Sequence, residues 1–387
     1  LINSLAADGT LQRVSDWSNW RERRPPSRVL QLDSAAAGRA SEATLAAVAD
    51  HARLEAQTGA YVVQDEAREV VERGRGDLAG LLGTVADGVA FVESAGAAVV
   101  ALLDAWPLPA GAAIGVVAAE WGPNRELFER RGLRLVELAT EPSGQLDLAA
   151  LEARLATDPP AVVHLVQVTS HRALVQPVAA AAALCWAARV PLWVDAAQAV
   201  GHVPADSGAD AIYGTSRKWL AGPRGIGFLA VPERNWERLD VLRPALTGSG
   251  LSPVRCLEST EAHMAGRVGL ANAVRELCAD GPEAVFARLA EVGRLTRTVL
   301  ADVPGWAVAG PTGEEGAITG LRPTAGQDVA TVRARLIAED GILTTAALPV
   351  RAPLDMAEPL LRVSPHVDCR PEELDRLAAA VGRLARA

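Results

Sequence analysis

From residue 89 to residue 231 of this 387-residue chain, short apolar runs alternate with amphipathic stretches. Stretches such as residues 148–155 and 178–188 show the 3.6-residue spacing of helices. Continuous apolar strands joined by helices are typical of a parallel sheet that is buried on both faces. We therefore predict an α/β fold with a mostly parallel seven-stranded sheet and helices on both faces. The seven predicted strands cover residues 89–92, 112–118, 134–138, 161–168, 190–195, 211–215 and 225–231.

The pattern changes beyond residue 245. A stretch rich in Gly, Ser and Pro at residues 246–253 predicts a mobile connection, and a long helical pattern follows over residues 265–303. A final amphipathic helix is expected from Pro371. Weaker strand signals lie between these helices, at residues 306–309, 317–321, 342–345 and 361–364.

These changes in pattern predict three parts of the chain. Residues 33–245 would form a large domain, and residues 246–387 a smaller α+β domain. Residues 1–32, which include Trp17 and Trp20, would form a helical segment that packs with the small domain.

Composition narrows the function classes. The formal net charge is −9, and the chain has no basic run, which argues against binding to nucleic acid or to an anionic membrane. The apolar stretch at 177–188 is too short to cross a bilayer, and residues 1–20 lack the pattern of a secretion signal. The four cysteines have no metal-binding spacing, so we expect a cytoplasmic protein without a metal site.

One residue type is almost missing. Of the 38 lysines and arginines, Lys218 is the only lysine. A bias toward arginine that spares one lysine suggests chemistry that needs an amine, because lysine can lose its proton and attack a carbonyl. One predicted strand ends at Asp195, with Gln198 just beyond, and the next strand leads into Lys218. Both groups would meet at one edge of the sheet, although a structural ion pair would give the same pattern.

An amine beside a carboxylate is the pair that pyridoxal phosphate chemistry uses, since the acid keeps the pyridine nitrogen protonated. The segments VDAAQAVGH (194–202), YGTSRKW (213–219) and GPRGIG (222–227) make the chain similar to the class V aminotransferase family. This family of fold-type I enzymes includes cysteine desulfurases, cystine C–S lyases and isopenicillin epimerases. The resemblance extends from LDSAAAG (32–38) to LRVSPH (361–366) and implies pyridoxal 5′-phosphate as the cofactor.

The resemblance also implies roles for single residues. Lys218 would bind the cofactor aldehyde and move the α-proton, and Asp195 would pair with the pyridine nitrogen. Arg362 would hold the α-carboxylate of the substrate. Apart from the resemblance, His171 and Tyr61 could also contact the substrate, although His171 could equally be an ordinary loop histidine and Tyr61 a packing residue. The other expected cofactor contacts, to its phosphate, ring face and phenolic oxygen, are Ser94, Ala95, Gly96, Trp121, Ser170, Gln198, Thr215 and Arg217.

Some of these residues have simpler interpretations. Ser94 could be an ordinary helix N-cap instead of a phosphate ligand. Arg217 could form a surface salt bridge. Trp121 stands where the family usually has a histidine, and a core or loop tryptophan would fit as well.

Residues 342–361 contain no cysteine, although desulfurases of the family carry a nucleophilic cysteine on the loop before the matching arginine. Persulfide formation therefore lacks its nucleophile. Removal of an α-proton and departure of a β-substituent need only the lysine and the electron sink, which favours β-elimination. The resemblance implies a C–S lyase that acts on a small cysteine-derived sulfoxide and releases a sulfenic acid or thiol, pyruvate and ammonia.

Other functions and contacts remain open. The chain could transaminate or epimerise another amino acid, or it could be a binding protein that has kept the scaffold. The family resemblance implies a homodimer with shared active sites, to which Thr260 would contribute. Trp17, Trp20 and Tyr61 could form a cation–π cage for a quaternary ammonium group on the substrate.

Overall fold

A computed structural model describes residues 17–241, 250–310 and 315–385. Its strands are β1 (Leu30–Gln31), β2 (Val89–Val92), β3 (Ala113–Val116), β4 (Arg134–Glu137), β5 (Val162–Val166), β6 (Leu192–Asp195), β7 (Ala211–Thr215), β8 (Gly227–Ala230), β9 (Trp306–Ala309), β10 (Thr319–Pro323), β11 (Ile342–Leu343), β12 (Thr345–Ala347) and β13 (Leu360–Val363). Its α-helices are α1 (Ser18–Glu22), α2 (Glu42–Thr58), α3 (Ala60–Leu81), α4 (Ala95–Ala105), α5 (Gly122–Arg130), α6 (Leu148–Thr157), α7 (Val178–Ala188), α8 (Met264–Asp280), α9 (Pro282–Ala301), α10 (Val329–Asp340) and α11 (Pro371–Leu384).

The apolar runs form the central sheet, in the order β2-β8-β7-β6-β5-β3-β4. All neighbouring strands are parallel except that β8 runs antiparallel to both β2 and β7. Strands β2, β5, β6 and β8 are buried along their whole length. The predicted mostly parallel seven-stranded sheet is confirmed. The carboxyl ends of its parallel strands, including β6 and β7, lie at one edge.

Both faces of this sheet are covered by helices. In β6, Leu192 and Val194 point into a core that includes Leu78 of α3 and Leu151 of α6. Trp193 points into the opposite core, beside residues of α4 and α5. Since neighbouring side chains of a strand point to opposite faces, an uninterrupted apolar strand needs two cores.

The smaller sheet is antiparallel, in the order β12-β13-β10-β9. Its core contains side chains of α9, α10 and α11. The N-terminal segment lies against this part of the chain, because Trp20 stacks on His366 at 4.2 Å and Arg21 pairs with Asp368 at 3.0 Å. We keep the boundaries at residues 32 and 245 as a proposal.

Two predicted elements are divided. The helical pattern at 265–303 forms α8 and α9, because Gly281 has a φ of +81° and Pro282 begins a new helix. The predicted strand at 342–345 contributes to two sheets: β11 pairs with β1, whereas β12 pairs with β13. The first half of the predicted connection, residues 246–249, and residues 1–16 of the N-terminal segment lie outside the described residues. None of the described helices is long and apolar enough to cross a membrane.

Candidate active site

A cavity of about 330 Å³ lies at the carboxyl edge of the central sheet. Three strands bring side chains to its wall that are far apart in the sequence: Ser94 follows β2, Asp195 ends β6 and Lys218 follows β7. Arg362 of β13 lines it from the smaller sheet. This edge is where α/β sheets generally bind ligands.

Lys218 follows β7 and is partly buried. A Cβ at Gly38 would collide with the Lys218 carbonyl, so a glycine is needed for the chain to pass this close. Burial lowers the pKa of Lys218 to about 7, and the charges of Arg217 and Arg362 add to this effect while Asp195 opposes it. The neutral form of this amine is therefore much more accessible near pH 7 than that of an ordinary lysine.

Asp195 ends β6 and is buried. Its Oδ1 accepts a hydrogen bond from the Ala197 amide at 2.9 Å, and its Oδ2 accepts one from Asn124 Nδ2 at 3.1 Å. Burial raises the pKa of the Asp195 carboxyl, whereas the charge of Lys218 lowers it. The two hydrogen bonds hold the carboxylate in a fixed orientation at the cavity wall.

A buried polar network lies behind Asp195. His164 is 2.8 Å from Glu120 through Nδ1 and 2.8 Å from the Tyr213 hydroxyl through Nε2. Asn124 Nδ2 is within 3.1 Å of both Glu120 and Tyr213. Buried polar groups with this many partners hold one arrangement, so this network fixes Asn124 beneath Asp195.

One end of the cavity is suited to an anion. Ser94 is the N-cap of α4, and its hydroxyl accepts a hydrogen bond from the Ala97 amide at 3.0 Å. The amides of Ala95 and Gly96 belong to the first turn, where unpaired N–H groups and the helix dipole attract negative charge. Arg217, which is partly buried, makes no ion pair with a described residue, and Thr215 lines the same cavity.

Arg362 of β13 also lines the cavity, and its side chain is 1% exposed. Its Nη2 donates to Asp33 Oδ1 at 2.9 Å and its Nη1 to the Ser170 carbonyl at 2.8 Å. Thr345 donates to the same Asp33 carboxylate at 2.7 Å. The guanidinium is thus held on two sides, which leaves Nε buried without a described partner.

Gln198 and Trp121 line two other parts of the wall. Gln198 Nε2 donates to the Ala35 carbonyl at 3.0 Å, and Gln198 Oε1 accepts from Trp219 Nε1 at 2.9 Å. One N–H of Gln198 remains for a ligand. Trp121 is the partly buried N-cap of α5.

Three of the expected substrate contacts need correction. His171 is buried and lies 2.6 Å from Asp355 Oδ2, and it lines a neighbouring cavity instead of this one. Tyr61 is 75% exposed on α3, outside the cavity. Trp20 is buried against His366 and Arg24, so it cannot offer a free ring face to a substrate.

Trp17 and Thr260 also lie outside this cavity in the single chain. Trp17 is partly buried and packs against the core. Thr260 is exposed beside a separate cavity.

Sequence reasoning missed Asp33, Asn124 and Arg351. Asp33, which lies in the LDSAAAG segment, holds Arg362 from behind the cavity lining, and Asn124 lines the cavity from the first turn of α5. No sequence motif marks either residue as part of the site. Arg351 lies in the segment 342–361, which contains no cysteine. It is the one basic residue between 342 and 361, and this could have identified it.

The lining residues fit pyridoxal phosphate. Ser170 Oγ is buried without a described partner in the cavity wall, so it is available to a polar group of a ligand. A helix N-terminus for the phosphate, a buried carboxylate for the ring nitrogen and an amine of lowered pKa for the aldehyde lie around one cavity. The described residues contain no cluster of His, Cys, Asp and Glu suited to a metal ion.

Known proteins match this chain over almost its whole length. The model of the family described as aminotransferase class-V matches residues 30–377. A relative from Mycobacterium tuberculosis (strain CDC 1551 / Oshkosh), named as a probable hercynylcysteine sulfoxide lyase, is 44% identical over 98% of this chain and 94% of its own length.

Solved structures match at lower identity. An apo cysteine desulfurase from Thermococcus onnurineus NA1 has a TM-score of 0.83 at 19% identity, over 95% of this chain and 98% of its own. A variant of C-DES, solved with glycine covalently linked to its pyridoxal phosphate cofactor, has a TM-score of 0.77 at 17% identity, over 93% of this chain and 99% of its own. The fold is that of fold-type I enzymes. The chain belongs to the class V aminotransferase family, and its cofactor is pyridoxal phosphate.

Proposed function

We propose that this chain is a pyridoxal-phosphate-dependent C–S lyase that cleaves a cysteine-derived sulfoxide by β-elimination. The substrate that we favour is hercynylcysteine sulfoxide, as in ergothioneine biosynthesis, on the basis of the Mycobacterium tuberculosis relative. The observation that carries the proposal is the pair of Lys218 and Asp195 on a cavity whose described lining contains no cysteine. An amine and a carboxylate suffice for elimination.

Lys218 is the proposed base. Bound pyridoxal phosphate supplies an electron sink for the electron pair that remains when the α-proton leaves. A neutral amine is needed to accept that proton, and burial favours the neutral form of Lys218. A well-placed base of suitable pKa contributes roughly 10²- to 10⁴-fold to the rate.

Asp195 and Arg362 orient the reactants. Asp195 would stabilise the protonated ring nitrogen, since its carboxylate is held by Ala197 and Asn124. Arg362 would bind the α-carboxylate through its buried Nε and a remaining Nη hydrogen, which places the α-proton toward Lys218. Trp121 would cover one face of the ring.

The four cysteines argue against a desulfurase. Burial raises the pKa of the Cys185 thiol to about 12 and that of the Cys369 thiol still further. Cys256 and Cys278, like these two, are absent from the described cavity lining. A sulfoxide needs no thiol, because its C–S bond breaks when the α-proton has been removed.

The overall reaction balances without an oxidant or a reductant. The α-proton leaves, the bond between the β-carbon and sulfur breaks, and sulfur departs with its oxygen as a sulfenate. Addition of water to the three-carbon remainder releases pyruvate and ammonium. A sulfenate is a better leaving group than a thiolate, which favours the sulfoxide over the corresponding thioether.

The test is to incubate the holoenzyme with hercynylcysteine sulfoxide, other S-substituted cysteine sulfoxides and cysteine, and to measure pyruvate. We expect pyruvate and ammonium from a sulfoxide, with no requirement for a 2-oxo acid. Turnover that depends on a 2-oxo acid would show an aminotransferase. Inversion of an amino acid without pyruvate would show an epimerase.

Lys218→Ala provides a sharper test of the same proposal. We expect it to lose covalently bound cofactor, and its yellow colour, and to slow pyruvate release by at least about 10²-fold. The exposed Arg53→Ala, which removes a positive charge on α2, is the matched control and should retain both. Normal turnover by Lys218→Ala would contradict the proposal.

We also propose a homodimer with shared active sites. Ser94 and Gly96, at the phosphate end of the cavity, are exposed in the single chain, and a partner could cover them. The exposed Thr260 stays the proposed contribution of the partner. Sedimentation of the holoenzyme tests the assembly, and Thr260→Val tests whether cofactor affinity falls.

A further inference from the structure

Arg351 is a cation in the cavity that the proposed chemistry does not use. The cavity is lined by four basic side chains, Lys218, Arg217, Arg351 and Arg362, and by one acidic side chain, Asp195. The phosphate accounts for Arg217 and the α-carboxylate accounts for Arg362. Neither the phosphate nor the α-carboxylate accounts for Arg351.

The fold holds Arg351 at the cavity. It ends a short 3-10 helix, Pro349–Arg351, and its guanidinium carbon lies 5.6 Å from the ring centre of Trp121. A Cβ at Gly122 would collide with the Val350 carbonyl, so Gly122 allows this segment to lie against the start of α5. Arg351 is partly buried and not a freely exposed side chain.

The nearby carboxylates are already occupied. Asp355, on the same segment, pairs with Arg172 at 2.8 Å and with His171 at 2.6 Å. Asp33 pairs with Arg362 at 2.9 Å. The guanidinium of Arg351 makes no ion pair or hydrogen bond with any residue of the described ranges.

This arrangement is electrostatically unfavourable without a further anion. Burial, and then the positive charges of Arg362 and Arg217, lower the pKa of Arg351 to about 10, although the charge of Asp33 opposes this shift. An arginine stays charged at that pKa near neutral pH, so the repulsion among the three arginines persists. An anionic group of the substrate between them would relieve it.

We propose that Arg351 binds a second carboxylate of the substrate, one that lies on the leaving-group side of sulfur. The enzyme would then select cysteine sulfoxides whose S-substituent carries a carboxylate, as the betaine of a hercynyl group does. This assignment rests on the proposed C–S lyase function. It makes Arg351 a specificity-determining residue, with Arg362 reserved for the α-carboxylate.

The experiment compares two substrates and four proteins. The substrates are hercynylcysteine sulfoxide and its analogue in which hydrogen replaces the betaine carboxylate. The proteins are the wild-type holoenzyme, Arg351→Gln, Arg351→Lys and the control Arg322→Gln, which removes an equal charge from the half-exposed Arg322 outside the cavity. Pyruvate release gives kcat/KM, and a titration without substrate gives the affinity for the cofactor.

We expect Arg351→Gln to lower kcat/KM roughly 10- to 100-fold for the carboxylate substrate and less than about 2-fold for the analogue. Arg351→Lys should lower kcat/KM less than Arg351→Gln does, because lysine keeps the positive charge but lacks the two parallel N–H donors of a guanidinium. Arg322→Gln should match the wild type. Cofactor affinity should be unchanged in all four proteins.

Three results would overturn the assignment. Equal losses of kcat/KM for both substrates would show that Arg351 does not bind the betaine carboxylate. Cofactor affinity that falls in Arg351→Gln would make Arg351 a phosphate ligand. If the wild-type enzyme releases pyruvate from no sulfoxide, the proposed function fails, and the assignment fails with it.

Discussion

The Lys218 amine is surrounded by positive charge and shielded from water, and both effects favour its neutral form. Burial lowers its pKa most, the charges of Arg217, Arg362 and Arg351 lower it further, and the charge of Asp195 acts in the opposite direction. In the proposed reaction, the amine must be neutral to attack the aldehyde of the cofactor and must be neutral again to accept a proton. The same environment would therefore serve both proposed steps.

This environment predicts a pH profile for cofactor capture. The rate at which the apo-protein binds pyridoxal phosphate should rise with pH and level off just above about 7, because the neutral fraction of Lys218 saturates there. Stopped-flow absorbance measures that rate, and Nα-acetyl-lysine with the same cofactor is the reference. A profile that continues to rise toward pH 10.5, as for the reference amine, would contradict the lowered pKa.

Asp195 gives a second prediction for a single residue. Asp195→Asn should keep the cofactor bound but slow α-proton removal roughly 10²-fold or more, because a neutral amide cannot stabilise the protonated ring nitrogen. Exchange of the substrate α-proton with deuterated water, followed by NMR, measures this step. The exposed Asp158→Asn on the surface is the matched control, and an unchanged exchange rate in Asp195→Asn would refute the role.

The start of α4 depends on a glycine in a neighbouring strand. A Cβ at Gly227 in β8 would lie 2.5 Å from the Ser94 carbonyl carbon and 2.7 Å from the Gly214 carbonyl oxygen. Both contacts are with backbone, which cannot move aside as a flexible side chain would. The close approach of β8 therefore sets the position of the proposed phosphate site.

Gly227→Ala should displace Ser94 and weaken cofactor binding. We expect a loss of about 1–3 kcal/mol in the free energy of unfolding, from overpacking, together with lower cofactor affinity. Thermal unfolding and a fluorescence titration of the cofactor measure the two effects. Gly76→Ala on α3 meets no atom within 4 Å and should be neutral or slightly stabilising. If Gly227→Ala binds the cofactor as tightly as Gly76→Ala, the packing argument is wrong.

Across the whole molecule, His202 joins the loop after β6 to the segment before β10. Its Nδ1 donates to the Gln198 carbonyl at 2.8 Å, and its Nε2 accepts from the Ala317 amide at 2.7 Å. The ring stacks on Trp219 at 3.9 Å. Nε2 can accept this bond only while it is unprotonated, so the link requires a neutral imidazole.

This link predicts a loss of stability in acid. Burial lowers the pKa of His202 to about 4 in the folded protein, below the ordinary value of 6.5. Between these values the unfolded chain binds a proton that the folded chain does not, so the free energy of unfolding falls as the pH falls from 6.5 to about 4, by about 3 kcal/mol in total. Urea unfolding of the protein at pH 7 and pH 5 measures the change.

His202→Gln tests the source of this dependence. It should be less stable than the wild type at pH 7 but should lose less on acidification. The exposed His263→Gln should keep the wild-type dependence. An identical loss in His202→Gln and the wild type would show that other groups cause it.

The pattern of apolar residues was sufficient to predict the seven strands, because a strand buried on both faces has to be apolar along its length. The lone lysine and the Asp195 strand end were likewise visible without a structure, since both lie at the ends of such strands.

The pairings between side chains could not be predicted from the sequence. Asp33 pairs with Arg362, which is far from it in the sequence, and His171 pairs with Asp355. Arg351 lies near Trp121 only because Gly122 allows the two segments to pack closely. Local sequence records whether a position is buried, whereas the partner of a buried charge depends on how distant segments pack, and only the folded chain contains that information.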